Sequence, residues 1–309
     1  LSQSHAESTA SVITLALAGT ATNPTKIICV DDGAAPPTAT STTATVTTTG
    51  ANAITINGSA YIYGVTFNTS TGATGSNLTI AGSSADNSYV VMELCNLKLI
   101  GTAGGNRIST GTASSTIEGS VTLKKCTFKF SAIGQGFTLN GPTNFIGCSI
   151  ASDSSAITTL VASSISNNQL SKFIDCDLSY CASGVNLINV GGALGRIDFI
   201  NCKLPESWSG AVITGTQTSP HFRACLYNCD SGATNYRLWI ETFAGSIKSE
   251  TTLVKTGGAS DGTTSISWKL VTNANTNEYV APLLTDDMAI WIDTTGSSKT
   301  ITVDILHDS

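Results

Sequence analysis

Apolar residues recur along the middle of the chain in one short pattern, apolar-x-x-Cys-x-apolar. The pattern occurs six times, at intervals of about two to three dozen residues, and a cysteine-free copy precedes it at residues 62–67. The six copies are residues 92–97, 123–128, 145–150, 173–178, 199–204 and 222–227. A pattern with a period of roughly 20 to 50 residues is typical of repeat proteins, in which each repeat packs against its neighbours.

Each repeat also contains a second short apolar segment, and both segments have the character of strands. The second segments are residues 77–80, 136–139, 156–160, 185–188, 211–213 and 238–240. From about Ile54 to Phe243 no segment has the i, i+3, i+4, i+7 spacing of a helix, and Thr, Val and Ile favour strands. We therefore predict an all-β chain in which residues 54–246 form a parallel β-helix solenoid with coils of about 25 residues.

The recurring cysteines fit a stacked core better than a chemical site. In a β-helix, equivalent residues of successive coils lie in rows, and free cysteine behaves as a small, usually buried hydrophobe. The predicted core ladder consists of Cys95, Cys126, Cys148, Cys176, Cys202 and Cys225, with Phe145, Phe173 and Phe199 beside them. The three-residue step from the apolar residue to Cys breaks the alternation of a strand, which predicts a bend just before each Cys.

The positions predicted to face away from this core are only partly polar. Glu93 should lie beside Lys124, and Asp177 beside Lys203, as oppositely charged neighbours on adjacent coils. Three successive repeats instead carry isoleucine at one of these outward positions: Ile146, Ile174 and Ile200. This run is less polar than a free surface, so we expect another strand or a partner subunit to cover it.

The repeat ends near Phe243, and both ends of the chain differ from the middle. Residues 247–309 alternate apolar and polar positions at 266–270, 290–292 and 301–305, which predicts a small antiparallel β-sandwich. Residues 1–53 are rich in Thr, Ala and Ser, and we interpret them as an N-terminal β cap or attachment segment. The apolar stretch at 12–18 has no Lys or Arg before it and alternates like a strand, so we do not interpret it as a signal sequence.

Composition narrows the classes of partner and cofactor. Charged residues make up 12% of the 309 residues, the net charge is −6, and no basic cluster occurs, which argues against nucleic acid and acidic membrane surfaces. No apolar run approaches the roughly 20 residues that span a bilayer. The nine cysteines are odd in number and include no Cys-x-x-Cys, so we predict neither a disulfide framework, nor a metal site, nor a cofactor.

The copies at 145–150, 173–178 and 199–204 resemble the coils of the right-handed parallel β-helix, or pectin-lyase-like, superfamily. The resemblance covers about residues 54–243 and implies the fold more than an activity. That superfamily includes pectate lyases, polygalacturonases, phage tailspike depolymerases, adhesins and catalytically silent virion proteins. Residues 282–306, with the Trp-x-Asp-x-Thr-Gly turn at 291–296, resemble a C-terminal module of tailed-phage structural proteins.

One group of charged residues is a candidate for catalysis: Asp175, Asp177, Asp198 and Lys203, with Arg196 nearby. A β-helix lyase needs carboxylates for Ca²⁺ beside a basic residue, and a glycosidase needs two carboxylates. The Gly-His-Gly of the polygalacturonases does not occur, and residues 196–198 depart from their Arg-Ile-Lys pattern at the third position. We interpret the group as solvated outward residues and assign no catalytic residue.

The resulting hypothesis is a non-enzymatic structural protein of a tailed-phage virion, a capsid decoration or a head spike or fibre. It would attach to the capsid or to other virion proteins by surface burial and would form a homo-oligomer, a trimer, in the extracellular particle. A host surface glycan is a further candidate partner. The alternatives are a tailspike-type polysaccharide depolymerase, a lyase or glycosidase, and a cell-surface adhesin, both on the same β-helix.

Overall fold

A computed structural model describes residues 1–69, 76–80, 88–111, 119–163, 169–190, 195–214, 222–232, 234–243, 246–256 and 265–270. These residues are all-β, as the sequence predicts, and the described part of the chain contains no helix. The apolar stretch at 12–18 contains a strand, as predicted. Residues 271–309, which include the segment resembling phage structural proteins, lie outside the described part.

The described residues form 27 strands. The first nine are β1 Ala6–Thr9, β2 Ile13–Ala16, β3 Thr25–Ile28, β4 Val30–Asp31, β5 Ala39–Thr40, β6 Ala44–Thr48, β7 Ile54–Asn57, β8 Ala60–Tyr63 and β9 Val65–Thr69. The next nine are β10 Leu78–Ile80, β11 Tyr89–Glu93, β12 Asn96–Leu99, β13 Arg107–Thr110, β14 Ser120–Lys124, β15 Thr127–Phe130, β16 Gly136–Leu139, β17 Thr143–Ile146 and β18 Ser149–Ile150. The last nine are β19 Thr159–Ser163, β20 Gln169–Ile174, β21 Asn186–Val190, β22 Gly195–Ile200, β23 Ile213–Thr214, β24 Phe222–Ser231, β25 Thr234–Phe243, β26 Ser246–Thr256 and β27 Ser265–Leu270.

Three large sheets contain all but two of these strands. The first sheet has the order β1-β6-β9-β12-β15-β18, and the second has the order β2-β7-β10-β13-β16-β19-β21-β23. The third sheet has the order β3-β8-β11-β14-β17-β20-β22-β24-β25-β26-β27, and β4 and β5 form a separate antiparallel pair. From β6 to β20 the chain visits the first, second and third sheets in turn, and each strand pairs in parallel with the strand that follows in its own sheet.

The pairing register places equivalent residues of successive repeats opposite one another. Phe145 lies opposite Phe173, and Phe173 opposite Phe199. Glu93 lies opposite Lys124, and Asp177 pairs with Lys203 through an isolated bridge, so both predicted charge neighbours are confirmed. The outward isoleucines Ile146, Ile174 and Ile200 are opposite one another as well.

Aromatic side chains fill the interior between the sheets. The rings of Phe145 and Phe173 are stacked with centroids 4.1 Å apart, and those of Phe173 and Phe199 are stacked at 4.9 Å. Phe137, from the second sheet, meets Phe145 edge to face at 5.0 Å. All four side chains are at most 1% exposed, so they hold the second and third sheets together through burial of apolar surface.

Both predicted end segments share the large sheets. Within residues 1–53, strands β1, β2, β3 and β6 are members of the three sheets, and only β4 and β5 form a sheet of their own. At the other end, β24 to β27 continue the third sheet in antiparallel order. The chain direction therefore begins to alternate at β25, which starts at Thr234, about a dozen residues before the predicted boundary. Most of the segment predicted as a sandwich, residues 247–309, lies outside the described residues.

Candidate functional site

The chain bends sharply at the residue before each cysteine of the repeat, as the broken alternation predicts. Seven residues at this position have a positive φ: Gly64 (72°), Leu94 (51°), Lys125 (50°), Gly147 (60°), Asp175 (53°), Asn201 (52°) and Asn228 (55°). We call these residues the corner residues. This left-handed conformation is natural for Gly and tolerable for Asn and Asp, but unfavourable for other side chains. At the first six corners the chain leaves the third sheet, whereas at Asn228 the third-sheet strand β24 continues to Ser231.

The cysteine after each corner has a bonding role as well as a packing role. Its thiol donates to a backbone carbonyl of the preceding repeat. The acceptor is the apolar residue that lies three positions before the cysteine of that repeat, or before Val65 in the repeat without a cysteine. The Sγ–O pairs are Cys95–Ile62, Cys126–Met92, Cys148–Leu123, Cys176–Phe145, Cys202–Phe173 and Cys229–Phe199, at 3.2 to 3.6 Å. Cysteine therefore combines a small apolar body with a weak donor at a buried position.

The sixth member of this cysteine row is Cys229, which corrects the sequence prediction. Cys225 lies opposite Asp198 on β24 and is only partly buried, whereas Cys229 is fully buried and follows the corner residue Asn228. Leu226, not Phe222, lies opposite Phe199. We call Cys95, Cys126, Cys148, Cys176, Cys202 and Cys229 the cysteine row.

The six thiols of the cysteine row are shielded from solvent, since each cysteine is at most 2% exposed. Hydrogen bonding between neighbouring thiols shifts their pKa values in opposite directions: upward for Cys126, Cys176 and Cys229, and downward for Cys95, Cys148 and Cys202. Because reagents in solution do not reach these buried thiols, the row is suited to packing rather than to nucleophilic or redox chemistry.

Lys125 is the corner residue whose replacement should stabilise the protein most clearly. Its side chain is exposed, and its φ of 50° is unfavourable for a lysine. We expect Lys125→Gly to raise the free energy of unfolding by about 1 kcal/mol, because glycine adopts this conformation without strain. Urea denaturation checks the change, with Lys124→Gly, in the extended strand beside it, as the destabilising control. A lower stability for Lys125→Gly than for the wild type would contradict the prediction.

Asp175 is a corner residue that belongs to a polar ladder. Its Oδ1 accepts from Nδ2 of Asn201 at 3.1 Å, and Oδ1 of Asn201 accepts from Nδ2 of Asn228 at 3.1 Å. Nδ2 of Asn235 continues the ladder to Oδ1 of Asn228 at 3.0 Å. Asp175 thus caps a row of corner side chains on the surface, where its carboxylate links successive repeats.

Asp177 and Lys203 lie beyond their corners, on the side of the first sheet. The backbone N–H of Ser179 donates to Oδ1 of Asp177 at 3.0 Å, and Nζ of Lys203 lies 3.8 Å from Oδ2. The two side chains are 41% and 64% exposed, so the ion pair contributes at most about 1 kcal/mol. Both oxygens of Asp177 serve local structure.

Asp198 lies before its corner, within β22 of the third sheet, and its side chain is only 6% exposed. Its Oδ1 accepts from Nε of Arg196 at 2.6 Å, and its neighbours across the sheet are Lys172 and Cys225. The three candidate carboxylates therefore occupy three different positions relative to the corners: Asp175 is a corner residue, Asp177 follows that corner, and Asp198 precedes the corner of the next repeat. The structure distributes them along the bend instead of directing them into a common cleft.

Cys225 is the one cysteine that is not fully buried, and all nine cysteines lie in the described residues. Burial, with a contribution from the Asp198 carboxylate, raises the pKa of its thiol to about 11. The other eight cysteines are at most 6% exposed.

These facts predict slow labelling of a single thiol in the native protein. At pH 8 the Cys225 thiolate fraction should be about 0.001, so iodoacetamide should react roughly two hundred times more slowly than with an unperturbed cysteine. The rate should rise about tenfold per pH unit from pH 8 to 10, because the thiolate fraction rises in that proportion. Mass spectrometry of labelled peptides checks this, and Cys225→Ser should abolish the native-state label. Rapid native labelling at a cysteine of the row would contradict the structure.

Among the described residues, no three His, Cys, Asp or Glu side chains are placed to hold a metal ion. No helix in that part of the chain is long and apolar enough to cross a membrane. Comparison of the chain with protein-family models, with curated proteins and with solved structures gives no match.

Proposed function

We propose that this chain is a non-enzymatic structural protein of a tailed-phage virion, in which a right-handed parallel β-helix forms a rigid capsid decoration or head spike. It attaches to capsid or other virion proteins by burying surface at one end. Its working property is stiffness, which it derives from the rows of contacts that join successive repeats.

The β-helix part of the proposal is supported by the order of the strands. The chain visits three parallel sheets in turn, bends at each corner residue, and pairs each strand with its equivalent in the next repeat. The stacked rings of Phe145, Phe173 and Phe199 and the thiol–carbonyl bonds of the cysteine row run in the same direction. Such ladders are what closely stacked coils require.

The non-enzymatic part is carried by one observation: each candidate carboxylate is bonded to a structural partner. Asp175 accepts from Asn201, Asp177 from Ser179, and Asp198 from Arg196. A glycosidase needs a pair of carboxylates facing one substrate bond, and a lyase needs carboxylates gathered around Ca²⁺. The three carboxylates lie on different sides of the corner and face separate partners.

The virion part is supported by the resemblance of residues 282–306 to a module of tailed-phage structural proteins. A low content of charge and outer faces rich in Ser, Thr and Asn on the first and second sheets suit an exposed particle component. The predicted trimer and a host surface glycan as a partner remain part of the same hypothesis.

The test is co-purification with particles of the phage that encodes the chain. We expect mass spectrometry of gradient-purified virions to find the protein, and immunogold labelling to place it on the head. A protein absent from purified virions would overturn the proposal.

A second assay separates this function from the depolymerase alternative. The purified protein is incubated with host capsule and pectic polysaccharides, with Asp175→Asn and Asp198→Asn as controls. We expect no oligosaccharide from any of the three proteins. Release by the wild type alone would make the chain an enzyme.

A further inference from the structure

The outer face of the third sheet differs from the outer faces of the other two. In the first sheet, residues opposite one another along the outer face are Thr45, Thr66, Asn96, Thr127 and Ser149. In the second sheet they are Thr14, Thr55, Thr79, Ser109 and Thr138. Both faces therefore present hydroxyl and amide groups, as expected of surfaces in water.

The third sheet instead presents a largely apolar row, which we call the outer column. In order of adjacent strands it consists of Ile28, Tyr63, Glu93, Lys124, Ile146, Ile174, Ile200 and Tyr227. Tyr89, Leu170 and Tyr227 on the same sheet are 36%, 37% and 44% exposed. Among the described residues, no strand of the first or second sheet carries an exposed large apolar side chain. The adjacent outward row of the same sheet is more polar and contains Thr122, Asn144 and Lys172. The outer column is thus a narrow apolar row, and exposed apolar surface of this kind is a candidate interaction surface.

The two charges in the outer column indicate what covers it. Glu93 and Lys124 are adjacent, with apolar residues on both sides of the pair. Tyr61 Oη donates to Oε2 of Glu93 at 2.9 Å, which holds the carboxylate in place on the face. A partner surface must therefore offer a positive and a negative charge, in the opposite order, between apolar residues.

A second copy of the column, turned antiparallel, meets this requirement. With a two-fold axis between β11 and β14, Glu93 of one copy faces Lys124 of the other, and the reverse. The same operation places Tyr63 against Ile146, and Ile28 against Ile174. A two-fold interface is self-complementary in this way, with residue i meeting j and j meeting i.

A parallel arrangement of the same faces does not match. If the outer columns of two or three copies pack in parallel with equivalent strands side by side, Glu93 faces Glu93 and Lys124 faces Lys124. Like charges at a buried contact are strongly unfavourable. The column thus distinguishes between two modes of self-association and favours the antiparallel one.

We propose that the outer face of the third sheet is a homodimer interface, in which two copies of the chain pack antiparallel about a two-fold axis between Glu93 and Lys124. The interface also accounts for the half-buried isoleucines at Ile146 and Ile174. It replaces the trimer of the virion hypothesis with a dimer, and it is otherwise independent of the virion function and of the attachment site, which would lie at an end of the chain.

The test is sedimentation equilibrium of the full chain from about 1 to 100 µM. We expect a dimer, and we expect Ile174→Asp to raise its dissociation constant at least about 30-fold, because it places a carboxylate against the apolar Ile28 of the other copy at two symmetric positions. Thr138→Asp, on the outer face of the second sheet, should leave the constant unchanged. Far-UV circular dichroism establishes that each variant folds.

Lys124→Glu tests the orientation, because Lys124 is exposed and its replacement should not disturb folding. In the antiparallel dimer it creates two facing carboxylate pairs and should weaken association about tenfold at low salt. The double variant Glu93→Lys/Lys124→Glu should restore the wild-type constant. A monomer at 100 µM, a trimer, or a dimer unaffected by Ile174→Asp or by Lys124→Glu would each overturn the proposal.

Discussion

Phe173→Ala should lower the free energy of unfolding by about 4 kcal/mol, the typical cost of removing a buried aromatic ring from a core. Phe173 is the middle ring of the stack, 4.1 Å from Phe145 and 4.9 Å from Phe199, and it is 1% exposed. The neighbouring rings belong to β17 and β22, on either side of its own strand β20, so they cannot close the cavity without moving the sheet. Guanidinium denaturation followed by tryptophan fluorescence measures the loss.

Two variants show whether the loss comes from the stack. Phe173→Leu keeps most of the apolar volume and should cost roughly half as much. Tyr180→Ala removes an aromatic ring that is 48% exposed and should cost less than about 1 kcal/mol. Equal losses for Phe173→Ala and Tyr180→Ala would show that the ring stack does not support the fold as described.

Gly64→Ala should be the other strongly destabilising substitution, at about 2 to 4 kcal/mol. Gly64 is a corner residue with φ of 72°, and a Cβ there would lie 2.1 Å from the backbone oxygen of Ser41. The left-handed conformation costs an alanine about 1 kcal/mol, and displacing the segment at Ser41 adds an overpacking cost of about 1 to 3 kcal/mol. Thermal unfolding followed by circular dichroism measures the sum.

Gly147→Ala is the matched control, since Gly147 is a corner residue with φ of 60° and open space around it. Its nearest neighbour for a Cβ is Cγ of Lys125, at 3.6 Å. This variant should show the conformational cost alone, about 1 kcal/mol. If the two variants lose the same stability, the approach of Ser41 to the Gly64 corner is not as close as described.

The period of the apolar and cysteine positions was enough to predict the strands, the inward rows and the bend, because each follows from local chemistry. Alternation identifies the two faces of a strand, and a three-residue step requires a corner. Aligning the last copy on Phe222 was misleading, since β24 is ten residues long and its cysteine row member is Cys229. The signal that would have found it is the residue before the cysteine: Asp175, Asn201 and Asn228 tolerate a positive φ, whereas Ala224 does not.

The placement of the candidate carboxylates could not be predicted from the same pattern. Asp198 and Asp175 lie on neighbouring repeats. Asp175 is itself a corner residue, whereas Asp198 lies in strand β22, before the corner of its own repeat. Burial of Asp198 beside Arg196 depends on packing across β20, β22 and β24, which is not a local property. The shared outward position of Ile146, Ile174 and Ile200, in contrast, was predictable, because the three isoleucines lie at the same distance from the cysteine in their repeats.

The thiol–carbonyl bonds are compatible with the removal of a whole repeat. Each thiol of the cysteine row donates to a carbonyl of the preceding repeat, so deleting the residues between two successive corners leaves every remaining thiol with an equivalent acceptor. Deleting residues 149–176 would remove β18, β19 and β20, one strand from each large sheet, and would bring the Cys202 thiol to the carbonyl of Phe145 in place of Phe173. Gene variants that gain or lose whole corner-to-corner units would thus add or remove one strand in each large sheet, which changes the extent of each sheet in steps of about 4.8 Å, the spacing of neighbouring strands.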